Sequence, residues 1–161
     1  MSSIDAIIAS FPPELAVLLV AGLPVVELRG ALPVGLALGL HPAWAFTLSV
    51  LGNMLPVPLV FLLLDPVTRR LMSLPRVSAW IATYLDRTRK KSGQIRKYGF
   101  WGLVVFVGVP LPGTGAWTGA IAASLLGLKF GQSMLALFLG TVLAGIAVLV
   151  LCLLGYVTFV S

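Results

Sequence analysis

The sequence predicts an all-α integral membrane protein made of two inverted repeats. Of its 161 residues, 59% are hydrophobic and only 10% are charged. The mean hydropathy of +1.07 is far above that of a soluble domain, and three uncharged stretches are long enough to cross a bilayer. The length suits one membrane domain, 1–161. We expect each repeat to consist of a re-entrant helical hairpin and a transmembrane helix. A basic cytoplasmic amphipathic segment is expected to join the two repeats.

The two halves of the chain resemble each other at an offset of 88 residues. Each has an apolar segment interrupted by proline and glycine, then a polar corner at His41 or Lys129, then an uninterrupted apolar run. The matched residues are Leu23-Pro24 with Leu111-Pro112, Leu38-Gly39-Leu40 with Leu126-Gly127-Leu128, and Gly52-Asn53 with Gly140-Thr141.

The interrupted segments are poor candidates for single spanning helices. Residues 98–128 as one helix would measure about 46 Å, against about 30 Å of hydrocarbon. Pro110 and Pro112 would also remove hydrogen bonds at its centre. Two half-helices of about eleven residues would instead enter to the midplane and return. The predicted boundaries are repeat 1 at 12–64 (hairpin 15–39, transmembrane 43–64), a linker at 65–97, and repeat 2 at 98–158 (hairpin 98–128, transmembrane 130–157).

Nine of the eleven basic residues lie between Pro66 and Tyr98, so the positive-inside rule places this segment in the cytoplasm. We expect a multi-pass protein of the prokaryotic cytoplasmic (inner) membrane with both termini outside. Acidic Asp5 and Glu14 argue against a cleaved signal peptide. The apolar flanks favour anionic lipid headgroups over nucleic acid as the partner of the basic segment. Residues 77–85 repeat at helical spacing and predict an amphipathic surface helix; a partner-binding helix or a simple linker stays open.

Glu27 and Arg29 are the acidic and basic residues expected at membrane depth. A charge there costs several kcal/mol unless it is paired or hydrated, so such residues usually serve a function. Arg29 would hold an anionic group with its planar guanidinium, and Glu27 would take up and release a proton. The structural alternative is that the pair only locks the fold.

The tip of the second hairpin, "PLPGTG", is the other candidate binding element. Unwound backbone at this depth must line a cavity or be buried in protein. Half-helices beginning near Thr114 or Gly115, and near Pro24 or Val25, would aim their positive ends at that cavity. The alternatives are local hydrogen bonds for the threonines, core packing for Trp117 and an interhelical bond for Asn53. The full set of candidate site residues is Glu27, Arg29, Pro24, Pro110, Pro112, Gly113, Thr114, Gly115, Trp117, Thr118 and Asn53.

Enzymatic chemistry is not indicated. His41 is the single histidine and has no Ser/His/Asp set around it, and no phosphate-binding loop or paired carboxylate occurs at depth. We predict no cofactor and no metal. Cys152 is the single cysteine, which excludes an intramolecular disulfide and suits a packed or lipid-facing position.

The strings "PVVELRGALPVG" and "KYGFWGLVVFVGVPLPGTGAWTGAIAASLLGL" resemble the bacterial and archaeal family of small multidrug export proteins. That family looks distantly similar to the DedA and VTT-domain proteins, which have paired re-entrant hairpins and include polyprenyl-phosphate translocases and lipid scramblases. DedA proteins carry arginines in the second hairpin, whereas this sequence has Arg29 in the first. The resemblance implies a membrane transporter.

Three functions follow as hypotheses. The first is a DedA-like transporter or lipid-phosphate translocase that moves a small anionic or amphipathic substrate with proton coupling. The second is proton-coupled export of lipophilic cationic drugs through Glu27. The third is a non-transporting membrane assembly protein, and a small channel is also open. We expect a homodimer, because so few helices make a thin wall around a cavity.

Overall fold

The computed structural model describes residues 12–63, 93–111, 113–125 and 128–160. Every regular element in these ranges is a helix. The predicted amphipathic helix at 77–85 and Asp5 lie outside the described residues. In chain order the helices are α1 Pro13–Gly22, α2 Glu27–Ala37, α3 Pro42–Met54, α4 Gly93–Gly108, α5 Ala116–Leu125 and α6 Phe130–Val160.

Two helical stretches are long and apolar enough to cross a membrane. The first, Pro42–Leu63, has 22 residues and a mean hydropathy of 1.9; it contains α3 and continues past a bend at Leu55 and Pro56. The second, Phe130–Gly155, has 26 residues and a mean hydropathy of 2.8. At 1.5 Å per residue they reach about 33 and 39 Å, which covers the hydrocarbon core.

The remaining helices are short. α1 has 10 residues, α2 has 11 and α5 has 10. α4 is kinked at Gly99 (φ 49°, ψ −114°), so its apolar part is Gly99–Gly108. Each of these apolar pieces reaches about 15 Å, half of the hydrocarbon thickness.

Local sequence explains where the helices begin and end. Pro13 opens α1 at a position where the missing N–H costs nothing, and Leu23 is extended (φ −74°, ψ 135°) because a residue before proline avoids the helical region. α3 begins with Pro42 after His41, whose Nδ1 accepts a hydrogen bond from the Ala43 N–H at 3.3 Å.

The chain packs as two units, the first comprising residues up to 56 together with those from 141 onward. In this unit α1, α2 and α3 pack against one another around Val17, Ala21, Ala31 and Leu48. Gly35 of α2 lies between neighbouring helices; a Cβ atom there would come within 2.9 Å of the Val17 side chain and 3.0 Å of the Ala45 Cβ.

The second unit comprises residues 57–140. Here α4 packs on α5, and Gly119 of α5 sits against the side chains of Val107 and Leu137. The rings of Phe61 and Phe130 meet edge to face at 5.4 Å. Small residues at these contacts let helices approach closely, as in membrane helix pairs.

Candidate ion and substrate site

Glu27 is the first residue of α2 and is only 7% exposed. Its backbone is left-handed (φ 53°), the single non-glycine residue with positive φ in the described part of the chain. Its N–H donates to the Leu23 carbonyl at 3.0 Å across the turn that joins α1 to α2. A left-handed conformation costs a non-glycine residue roughly 1–2 kcal/mol, so the surrounding structure holds this carboxylate against a local preference.

The helix after the first turn begins later than predicted. The sequence predicts a half-helix that begins near Pro24 or Val25, but residues 23–26 form a turn and α2 begins at Glu27. Pro24 is exposed in this turn, and Arg29 lies half-buried in the first turn of α2. Both candidate charged residues therefore sit at the N-terminal end of a helix.

Asn53 and Ser49 lie one helical turn apart on the buried face of α3. Asn53 is 3% exposed and Ser49 is 0% exposed. Within the described residues, Asn53 Oδ1 and Ser49 Oγ have no hydrogen-bond partner. Exposed Thr47 behaves differently, because its hydroxyl donates to the Ala43 carbonyl at 2.8 Å.

Helix register brings Asn53 to the level of Glu27. α2 and α3 are joined by a short corner and touch at Gly35 and Ala45. Glu27 lies eight residues before Gly35, and Asn53 lies eight residues after Ala45, so antiparallel helices place both about 12 Å from that contact.

The end of α1 packs against α3 beside Asn53. A Cβ atom on Gly52 would collide with the Leu18 carbonyl oxygen and lie 2.9 Å from the Ala21 Cβ. The last turn of α1 therefore touches α3 next to Asn53. The turn from α1 then leads to Glu27 at the start of α2.

The middle of α6 packs against α2 and α3. Thr141, 1% exposed, donates from its Oγ1 to the Met54 sulfur at 3.7 Å. A Cβ atom on Gly145 would lie 2.7 Å from the Phe46 ring and 3.2 Å from Leu28. Met54, next to Asn53, and Leu28, next to Glu27, are thus both close to α6.

The tip of the second hairpin is held by its own hydrogen bonds. The Thr114 hydroxyl lies 2.9 Å from the Val109 carbonyl oxygen and 2.8 Å from that of Leu111. The Thr118 hydroxyl donates to the Gly115 carbonyl at 3.0 Å. These bonds match the structural alternative for both threonines, because the backbone of the same turn accepts their protons.

The other candidates at this tip differ in exposure. Gly113 is left-handed (φ 79°) and exposed, as is Pro110, while Pro112 lies outside the described residues. Gly115 is buried, and Trp117 is half-buried with an enclosed indole Nε1 that has no hydrogen-bond partner among the described residues. Trp117 is therefore the candidate here with unmet hydrogen-bonding capacity.

A family model described as "Putative small multi-drug export protein" matches residues 27–147. The chain belongs to this family. No curated protein and no solved structure gave a significant match. Membership and the two long apolar helices together indicate a membrane protein, and the family description is that of an exporter.

The first unit of this family member also contains an apolar groove of about 680 Å³. It lies between the end of α2, the start of α3 and the end of α6, and Pro33 and Cys152 are among its lining residues. This volume is in the range of small-molecule pockets, and an apolar lining suits the lipophilic part of a ligand.

Two buried polar residues of this family member are not indicated by the sequence. Ser49 and Ser133 are both buried, and neither hydroxyl has a hydrogen-bond partner in the described part of the chain. Serine is common in apolar helices, where it usually bonds back to its own helix, so residue type alone gives no signal. The spacing of Ser49 one turn before Asn53 was the available clue.

Proposed function

We propose that the chain is a proton-coupled membrane transporter that exports a small amphipathic substrate, with Glu27 as the proton carrier. The observation that carries this proposal is the position of Glu27: a buried carboxylate, in a left-handed turn, between two half-length helices. An ionisable group at such a place is costly, and its usual use is in a proton or substrate pathway.

Matching contacts in the two units support the proposed internal repeat. In the first unit Gly52 of α3 packs on the Leu18 carbonyl and on Ala21. In the second unit Gly140 of α6 packs on the Val104 carbonyl and on Val107 in the same manner, with a Cβ 2.9 and 2.7 Å from these groups.

The offsets between these contacts refine the repeat. The glycines are 88 residues apart, as are the starts of the long helices at Pro42 and Phe130, whereas the α1 and α4 residues are 86 apart. The second copy thus carries two extra residues in its turn, where the sequence has Pro110.

We further propose that both short helix pairs are re-entrant. Half-length helices joined by a turn can reach the midplane and return, which leaves one full crossing between equivalent points and inverts the second copy. Inverted repeats allow the same site to open to either side of the membrane, which is the arrangement needed for alternating access.

Protonation of Glu27 would control that alternation. A neutral carboxyl group is far cheaper than a carboxylate in an apolar environment, so proton uptake favours the state in which the site is closed to water. Proton release on the other side restores the charge and the need for hydration. The apolar groove in the first unit supports a lipophilic part in the substrate.

The test of the proton carrier is transport in reconstituted vesicles with Glu27→Gln. We expect this variant to lose efflux of a lipophilic cation such as ethidium and the accompanying proton uptake, each by at least about tenfold, while it still folds. Glu14→Gln is the matched control, because Glu14 is an exposed glutamate in the neighbouring helix α1. Unchanged efflux in Glu27→Gln would refute this role.

Lipid-phosphate translocation is the second candidate, and half-buried Arg29 favours it because a guanidinium binds phosphate in a bidentate manner. Vesicles containing a fluorescent polyprenyl phosphate measure it directly. If the substrate is the lipid phosphate, Arg29→Gln should abolish its transfer, while exposed Lys129→Gln should not. A third outcome is also possible to measure. If joint replacement of Glu27 and Arg29 by leucine leaves cellular function intact, neither transport hypothesis holds, and a non-transporting membrane assembly protein is the better interpretation.

A further inference from the structure

The apolar groove of the first unit lies between two helices that run in the same direction. A Cβ atom on Gly145 of α6 would lie 3.2 Å from the Leu28 side chain of α2. Further along both helices, the groove is lined by Pro33, Leu36 and Ala37 of α2 and by Cys152, Leu153 and Gly155 of α6. The groove therefore begins beyond the contact of Gly145 with Leu28 and continues toward the C-terminal ends of both helices.

The chemistry of the lining selects an aliphatic ligand. The described lining residues are leucines, prolines, an alanine, a cysteine and a glycine. Aromatic cations are usually bound by aromatic faces or by carboxylates, and the described part of the lining contains neither. The volume of about 680 Å³ suits a small molecule. A flexible hydrocarbon chain is the ligand that such a surface binds best, because burial of apolar area is then the whole of the interaction.

The position of the groove shows where such a chain would come from. Two lining residues are boundary residues of the long apolar stretches: Pro42 is the first residue of one, and Gly155 is the last of the other. Trp44, just after Pro42, is exposed, as is typical of tryptophan at a membrane surface. Ala37 and Leu153 are exposed lining residues, so the groove opens to the outside of this unit. In the proposed membrane arrangement, this opening faces lipid just below the surface.

We propose that the groove binds the aliphatic chain of the exported amphiphile, which enters it sideways from the bilayer. Pro33 lies six residues after Glu27, about 9 Å along α2, so the bound chain lies against the helix that carries the proposed proton carrier. The preferred substrate is then a long-chain amphiphile rather than a compact aromatic cation. That the bound amphiphile is the exported substrate rests on the proposed function, whereas binding of the chain does not.

Cys152 reports on occupancy of the groove, because it is the single cysteine of the chain and a lining residue. Its modification by N-ethylmaleimide is followed by intact mass in protein reconstituted into vesicles. Dodecyltrimethylammonium should slow modification about tenfold at ten times its dissociation constant, because only the empty groove reacts. Tetraphenylphosphonium, an aromatic cation that also enters bilayers, should protect far less. Equal protection by both cations, or protection by neither, would overturn the assignment.

A neighbouring thiol controls for changes in the bilayer itself. In a Cys152→Ala background, Leu151→Cys places the thiol one residue away, at an exposed position outside the described lining. Its modification should not change with dodecyltrimethylammonium. Equal slowing at this position would show that the amphiphile changes access of the reagent to the bilayer, and the proposed groove site would be wrong.

Filling the groove tests whether it holds the substrate. Ala37→Trp should abolish both the protection of Cys152 and the export of dodecyltrimethylammonium, and Leu153→Trp on the other helix repeats the test should Ala37→Trp not fold. Ala43→Trp is the matched control, because Ala43 is exposed and is not among the described lining residues. Unchanged export in the folded groove variants would mean that the groove holds an ordinary bilayer lipid, which overturns the proposal.

The outcomes for the groove and for the proton carrier are separable. Loss of transport in Glu27→Gln, with no protection of Cys152 in the wild type, would refute the groove site alone. Protection of Cys152 that Ala37→Trp abolishes, together with normal transport in Glu27→Gln, would refute the proposed proton carrier and leave the groove site standing.

Discussion

At the scale of single residues, Glu27 combines a buried carboxylate with a left-handed backbone. Each feature disfavours the folded state by itself, and a glycine at this position would avoid both. The chain nevertheless has glutamate here, directly after a proline turn that ends α1. Backbone strain of this kind is found mainly at functional sites, which agrees with the proposed role of Glu27 as a proton carrier.

Glu27→Gly should separate stability from function. We expect the free energy of unfolding in detergent to stay the same or to rise by up to about 1 kcal/mol, because relief of the left-handed backbone offsets the greater chain entropy of glycine. Transport should be lost with the carboxylate. Leu28→Ala, at a 1% exposed neighbour, is the control and should cost about 2–5 kcal/mol. A loss of more than about 2 kcal/mol in Glu27→Gly would contradict the strain at this residue.

The sequence could indicate only part of this residue-scale detail. Glu27 and Asn53 were singled out by type, since charge and amide groups are rare at membrane depth. The left-handed backbone of Glu27 could not be predicted, nor could a Ser49 hydroxyl without a hydrogen-bond partner among the described residues, because both depend on which helices pack around them. For Thr114 the sequence allowed either a ligand contact or a local hydrogen bond, and the structure shows local hydrogen bonds to the carbonyl oxygens of Val109 and Leu111.

At the scale of elements, each unit is assembled through a glycine on a long helix that meets the backbone of a short one. Gly52 and Gly140 occupy these positions, and each contacts a carbonyl oxygen and the side chain three residues further on. Such contacts let helices approach so closely that any side chain would force them apart. They fix the short helices against the long ones.

Gly52→Ala and Gly140→Ala should therefore both destabilise the protein, by about 1–3 kcal/mol, through overpacking. Gly131→Ala is the matched control in α6, because a Cβ there meets nothing within 4 Å. That variant should be neutral or more stable by up to about 1 kcal/mol, since alanine is the better helix former. Unfolding of all three in the same detergent makes the comparison. Equal stability of Gly52→Ala and Gly131→Ala would show that the α1–α3 contact is not close in the folded protein.

The elements themselves were largely predictable because their signals are local. Apolar length predicted the two long helices, and both are present as Pro42–Leu63 and Phe130–Gly155. Proline and glycine indicated interruptions, and the described helices end at Gly22 and Gly108. The start of α2 was placed too early, because a turn of four residues separates it from α1.

At the scale of the whole molecule, the described part of the chain contains two long helices and four shorter ones. Membrane location follows from family membership and apolar length. The repeat, the inversion and the orientation of the basic segment remain predictions, since the bilayer that would define them acts on the whole chain and 64–92 lie outside the described residues. Their common consequence is that α1 and α2 enter and leave on one side.

Cysteine labelling across α1 and α2 tests this consequence most directly. In a Cys152→Ala background, single cysteines at Glu14, Leu38 and Leu63 are treated with a membrane-impermeant maleimide before and after permeabilisation; all three positions are exposed. Re-entrance predicts that positions 14 and 38 react from the same face and that position 63 reacts from the other. Labelling of positions 14 and 38 from opposite faces would mean that the chain crosses the bilayer between them, and the proposed midplane site at Glu27 would be wrong.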